Sequence, residues 1–222
     1  MAVILALLWF IYPLQQDLPL PFPRDTAKQV VDNDRVAVWD VHWPKGKPTP
    51  LHRHIYDVVG IDLSDATVKV TNSDGQSRTS DVKSGGVVWL AKGAVHIEEG
   101  VSDNPRHAVL IELKDTKVPP SENKTGLPLA FPREGSKKLL ENDRVIVWDY
   151  TWTPGKPTVL HFHDKDVVVV YMEKGELKST TSDGQVTTRP VSFGNTNFNA
   201  RNRAHREELV KGKARAIVVE LK

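Results

Sequence analysis

Asn33-Asp-Arg-Val-Ala-Val-Trp-Asp40 returns as Asn142-Asp-Arg-Val-Ile-Val-Trp-Asp149, a shift of 109 residues, and this echo decides how the chain is read. With the shift held constant, Gly46-Lys-Pro-Thr49 meets Gly155-Lys-Pro-Thr158, and His52-Arg-His54 meets His161-Phe-His163. Ser73-Asp-Gly-Gln76 meets Ser182-Asp-Gly-Gln185 in the same way. Between Asp32 and Asp57, 16 of 26 positions equal their partners. The match begins at Leu18-Pro-Leu-Pro-Phe-Pro-Arg24, repeated as Leu127-Pro-Leu-Ala-Phe-Pro-Arg133. It closes on Val109-Leu-Ile-Glu-Leu-Lys114 and Ile217-Val-Val-Glu-Leu-Lys222. Two domains are therefore expected, 18–114 and 127–222, joined by a linker over 115–126 and preceded by an unrepeated segment, 1–17.

Inside each repeat the apolar pattern is that of strands. Val36-Ala-Val-Trp-Asp-Val41, Val58-Val-Gly-Ile-Asp-Leu63, Thr67-Val-Lys-Val-Thr71 and Val87-Val-Trp-Leu90 are short and rich in β-branched residues. Asn72-Ser-Asp-Gly75 and Thr181-Ser-Asp-Gly184 read as hairpin turns, with glycine supplying the positive φ. No amphipathic helix is expected after residue 17, so each repeat reads as an all-β sandwich or barrel. The composition agrees with a packed globular protein: 39% of the 222 residues are hydrophobic and 26% charged. Thirty basic against 28 acidic side chains leave a net charge of +2, with no basic excess to suggest nucleic acid. The absence of cysteine excludes disulfides, thiolate metal sites and cysteine nucleophiles.

Six of the eight histidines occupy three repeated positions: His52 with His161, His54 with His163, and His96 with His205. Residues i and i+2 of a strand point to one face, so His-x-His aims two imidazoles into the same space. A third from a returning strand completes a nitrogen set suited to zinc, manganese, iron, nickel or copper. Asp57 and Asp166, three residues after the second histidine, are the candidate oxygen ligands. Glu99 and Glu208 are weaker candidates as general bases. Trp39, Trp43, Trp148 and Trp152 are assigned to packing. His42 and His107, opposite Thr151 and Ala216 at the common shift, receive no role.

The spacings Gly46-x5-His52-x-His54 and Gly155-x5-His161-x-His163 resemble the first cupin motif, and Gly85-x7-Gly93-x2-His96 resembles the second. The chain thus resembles a bicupin, with two double-stranded β-helix barrels covering nearly all of 18–222. The resemblance implies metal ligands at His52, His54 and His96 and at His161, His163 and His205. This sequence departs from the motifs at several points. Asp57-Val58 and Asp166-Val167 stand where the family carries glutamate, Ala91 and Ala200 replace the motif proline, and Asn202 replaces the glycine before His205.

Ala2-Val-Ile-Leu-Ala-Leu-Leu-Trp-Phe-Ile-Tyr12 is continuously apolar. As a helix it would reach about 16 Å, short of the ~30 Å hydrocarbon core of a bilayer. A short apolar N-terminal helix is expected there, acting as an uncleaved anchor through Leu5, Leu8, Trp9, Phe10 and Tyr12, with the aromatic residues at the interface. Two functional expectations follow. One is a membrane-tethered, periplasmic or otherwise extracytoplasmic accessory subunit without catalysis, its partner a lipid bilayer or an integral membrane complex of respiratory or photosynthetic type reached through residues 1–17. The alternative is a metal-dependent bicupin enzyme of the dioxygenase, isomerase or decarboxylase class acting on a small molecule. A ligand-binding module without chemistry stands behind both.

Overall fold

Short β-branched runs broken by turns can satisfy their backbone groups only by pairing with one another. In the computed structural model, which describes residues 17–222, they do so in eighteen strands, with no helix among the described residues. The first repeat contains β1 (Ala27–Asp32), β2 (Val36–Trp43), β3 (His52–Arg53), β4 (Asp57–Asp62), β5 (Ala66–Asn72), β6 (Ser77–Val82), β7 (Val87–Leu90), β8 (Val95–Gly100) and β9 (Arg106–Leu113). The second contains β10 (Lys137–Glu141), β11 (Val145–Trp152), β12 (His161–His163), β13 (Asp166–Tyr171), β14 (Gly175–Thr181), β15 (Val186–Val191), β16 (Thr196–Asn199), β17 (Arg203–Gly212) and β18 (Ala214–Leu221).

The first nine strands form a five-stranded sheet, β1-β2-β9-β4-β7, and a four-stranded sheet, β3-β8-β5-β6. The next nine repeat the pattern as β10-β11-β18-β13-β16 and β12-β17-β14-β15. All pairings between these strands are antiparallel. The expected hairpin turn is present: Gly75 has φ +83°, and its N–H donates to the Asn72 carbonyl at 3.0 Å.

Strand alternation gives the five-stranded sheets two apolar faces. On one face Val36, Val38, Val59, Ile61, Val109 and Ile111 meet Val145, Val147, Val168, Val170, Ile217 and Val219, forming a single buried cluster shared by both repeats. Each such side chain contributes about 1.5–3 kcal/mol on burial. Two reciprocal ion pairs flank this seam. Arg35 donates to Asp166 at 2.6 Å, and its repeat partner Arg144 donates to Asp57 at 2.8 Å. The opposite faces turn inward on each repeat's own interior, where Trp39 donates from Nε1 to Glu112 and Trp148 to Glu220, both at 2.8 Å.

The expected N-terminal helix falls on residues 1–16, outside the described residues, as do Leu5, Leu8, Trp9, Phe10 and Tyr12. Among the described residues no helix is long and apolar enough to cross a membrane.

Candidate metal centres

His161 and His163 lie on the short strand β12, and His52 on β3 with His54 just beyond its end; each strand is pinned by backbone pairing to the one that carries the third histidine. His52 pairs with His96 across β3 and β8, and His161 with His205 across β12 and β17. The repeated threonine of Gly-Lys-Pro-Thr fixes the entry. Thr49 donates its N–H to the Glu98 carbonyl and accepts from the Glu98 N–H, both at 2.9 Å; Thr158 and Glu207 do the same. The turn before the third histidine is held by the second: the Gly93 N–H donates to the His54 carbonyl at 2.8 Å, and the Asn202 N–H to the His163 carbonyl at 2.7 Å. Gly93 has φ +90° and Asn202 φ +63°. Asparagine tolerates this left-handed region better than most side chains, so loss of the motif glycine leaves the turn intact.

Each triad converges. One ligand atom from each of His52, His54 and His96 lies within 4.8 Å of the others, and so for His161, His163 and His205. The His52 and His54 Nε2 atoms are 3.2 Å apart, those of His161 and His163 3.2 Å, and those of His163 and His205 3.0 Å. Two nitrogens bound at about 2.1 Å to one ion, at 90–110° to each other, stand roughly 3.0–3.4 Å apart. The far nitrogens of the first histidines are held as a metal requires, His52 Nδ1 facing the Pro50 carbonyl and His161 Nδ1 that of Val159, both at 2.9 Å, whereas His54 Nδ1 and His163 Nδ1 are buried without a partner. His96 Nε2 is buried with no hydrogen-bond partner.

Electrostatics favours the coordinating form. Burial, with the neighbouring His96 and His52, pushes His54 down to about 3. Burial and Arg133 push His161 down to about 4. His52, His96, His163 and His205 are also lowered, burial again being the largest cause. Six neutral imidazoles are the form that binds a metal. The two triads fit a divalent transition ion, and they leave its identity open.

The carboxylates differ from expectation. Asp57 and Asp166 are not ligands: they share strand parity with Val59 and Val168, which enter the seam, and their oxygens are taken by Arg144 and Lys92 N–H, and by Arg35 and Arg201 N–H. Glu99 and Glu208 face outward against Lys69 and Lys178. The inward carboxylates are Glu98 and Glu207, two residues after the third histidine. Trp43 Nε1 and Arg106 each donate to Glu98 at 3.2 Å, and Arg133 lies 3.5 Å from Glu207. Burial pushes both carboxyls up, but the surrounding arginines outweigh it and hold them below the ordinary range. The i, i+2 rule that groups His52 with His54 equally groups His96 with Glu98, and was the signal available in the sequence.

Beside the first triad lies a cavity of about 220 Å³ lined by His54, Gly60, Asp62, Val88, His96, Glu98 and Arg106, with exposed Arg78 at its edge. Arg106 Nε donates to Asp62 at 2.8 Å. Burial raises the Asp62 carboxyl although Arg106 opposes this. The corresponding space of the second repeat holds about 30 Å³ and is filled by Trp152, Val169, Tyr171, Arg189 and Arg203.

No family profile and no curated protein matches the chain. Solved structures do. A cupin 2 conserved barrel domain protein from Leptotrichia buccalis superposes with TM-score 0.57 at 12% identity, covering 88% of each chain. Bacillus subtilis oxalate decarboxylase, described with Mn(II) centres, superposes with TM-score 0.59 at 14% identity over 85% of this chain and 69% of that one; a point mutant of the same enzyme does so at 15%. At these identities the likeness shows the fold, which is that of the cupins. The expectation of a membrane-tethered, non-catalytic accessory subunit is corrected by these findings. The structural neighbours include an enzyme, and two metal-competent triads are assembled; residues 1–16, where the tether is expected, lie outside the described residues.

Proposed function

We propose that this cupin-fold chain is a bicupin, with domains over 18–114 and 127–222, and that it works as a metal-dependent enzyme on a small molecule bound in the first repeat. The observation that carries this reading is the open cavity against His54 and His96, present in the first repeat and filled in the second. A divalent ion held by His52, His54 and His96 would supply Lewis acidity to a bound oxygen.

The remaining tasks belong to side chains of the chain. Arg106 holds Asp62 and Glu98 apart in fixed orientations by donating to both. Asp62, raised by burial, is suited to carry a proton into the cavity, while Glu98, lowered by its cationic neighbours, stays ionised beside the triad. Arg78 at the edge favours an anionic ligand, and small carboxylates are the class suggested by likeness to oxalate decarboxylase. The second triad would hold its ion with little room beside it for a substrate.

The test is metal loading followed by assay against oxalate and other small mono- and dicarboxylates. His54→Ala and His163→Ala should each lose one metal equivalent, and only His54→Ala should lose turnover. Less than about a tenth of an equivalent in the loaded wild type would overturn the reading. Binding of a carboxylate by the loaded protein with no turnover would make the chain a ligand-binding module instead.

A further inference from the structure

Asp40 and His42 alternate on β2, so both point to the same face, and His107 stands directly opposite His42 on β9. This is the seam face: Val36 and Val38 precede them on β2, and Val109 and Ile111 follow His107 on β9. The three polar residues occupy the end of that face where it runs out to solvent. Their neighbours Val41 and Arg106 turn the other way, toward the first repeat's interior. The cluster therefore lies across the sheet from the cavity and shares no residue with either triad.

We propose that Asp40, His42 and His107 form a third binding site for a divalent transition metal of the zinc, nickel or copper type, built only in the first repeat. His107 Nε2 lies 2.5 Å from Asp40 Oδ1, and His42 Nε2 lies 3.8 Å from the same oxygen. The two rings stack at 4.0 Å between centroids, inclined by 15°, so the exposed His42 ring must turn about its side-chain torsions for both nitrogens to face one ion. A ligand atom from each of the three residues lies within 4.8 Å of the other two. Two imidazoles and one carboxylate favour borderline transition ions over magnesium or calcium, which prefer oxygen. The His42 side chain is 54% exposed, so an ion has a path in and keeps open positions toward solvent.

The second repeat shows what Asp40 lacks. There the aspartate is Asp149, and Arg215 grips it with two hydrogen bonds, Nε at 2.9 Å and a terminal guanidinium nitrogen at 2.8 Å. Strand pairing sets Arg215, rather than Ala216, opposite Thr151, because the second repeat has one residue fewer between its third histidine and its last strand, so that the shift falls from 109 to 108. The same backbone positions thus carry aspartate with a permanent cation in one repeat and aspartate with two histidines in the other. Lys28 stands opposite Asp40 across β1 and β2, but among the described residues no lysine or arginine nitrogen comes within 4.0 Å of its carboxylate; the groups that do are His42 and His107. A divalent ion would supply the missing charge, taking the place of the hydrogen bond between His107 Nε2 and Asp40, with the neutral imidazole carrying its proton on Nδ1.

The test compares the full chain with the double variant His42→Thr/His107→Arg, which installs the second repeat's own arrangement. Zn2+ alone is titrated calorimetrically while the histidine ring nitrogens are followed by NMR. The wild type should bind one more equivalent than the variant, with the His42 and His107 ring signals shifting together. His42→Ala, at an exposed position, should lose the same equivalent if the double variant folds poorly. Equal stoichiometry in all three proteins, or ring signals of His42 and His107 that stay fixed while the triads load, would overturn the proposal. Neither outcome depends on whether the first repeat turns over a substrate.

Discussion

The first repeat leaves about 220 Å³ open beside His54 and His96, while the second, with the same strand order and the same three histidines, leaves about 30 Å³ beside His163 and His205. Few positions account for the difference. Gly60 becomes Val169, Asp62 becomes Tyr171, Ser80 becomes Arg189 and Ala94 becomes Arg203. A Cβ on Gly60 would come within 2.7 Å of Val88 Cγ1 and 3.0 Å of Leu110 Cδ2; in the second repeat the residues paired with Val169 are Asn197 and Val218. Bulk has thus moved from flanking strands to the central one. The lesson is that duplication preserved the histidine cradle and the seam, where backbone pairing and reciprocal contacts constrain both copies, while each interior was free to fill or empty.

The contrast can be attacked at its centre. Tyr171 is 1% exposed in the second interior, with Arg189 donating to its hydroxyl at 2.7 Å. Tyr171→Ala should cost about 3–5 kcal/mol in chemical denaturation and open the second interior to small ligands. A loss below about 1 kcal/mol, or an interior that still admits no small ligand, would mean that the two interiors are not packed differently.

The seam should prove symmetric in design and unequal in strength. The side chains of Arg35 and Asp166 are 10% and 9% exposed, those of Arg144 and Asp57 20% and 17%. Arg35→Ala strands a buried carboxylate and should cost about 3 kcal/mol. Arg144→Ala should cost about 1–2 kcal/mol, since water reaches its partner more easily. Matching losses in urea melts would refute the ranking.

The smallest effect concerns the repeated tryptophan–glutamate bonds. Burial raises Glu112 and Glu220 above the ordinary 4.5, with the indole N–H opposing the shift. A carboxyl raised on folding favours the protonated native state, so the stability it contributes is present below pH 4.5 and is lost as pH climbs through the raised value. Glu112→Gln keeps an acceptor for Trp39 and should slightly raise the thermal midpoint at neutral pH while flattening its decline above pH 4.5. An unchanged pH profile would show that Glu112 is already ionised at no cost.

Much of this molecule was legible in residue patterns, and the errors have a common source. The repeat, the strand character and the grouping of His52 with His54 depend on local alternation, which a sequence displays directly. Asp57 and Asp166 were misplaced because nearness to the second histidine says nothing about parity on the next strand, and parity sends them into the seam. Glu99 and Glu208 missed the inward face by one residue. His42 and His107 looked unrelated because 65 residues separate them; only the pairing of β2 with β9 makes them neighbours.

What the sequence determined by itself was therefore a duplicated all-β chain with two sets of three histidines, since identity at a constant shift and a two-residue period survive without any knowledge of packing. The tertiary structure decided which carboxylates face the histidines, that two arginine–aspartate pairs cross the seam, and that one interior is roomy and the other largely filled. Those outcomes depend on strand register and on the summed volume of side chains from several strands, and neither quantity is carried by a single stretch of chain.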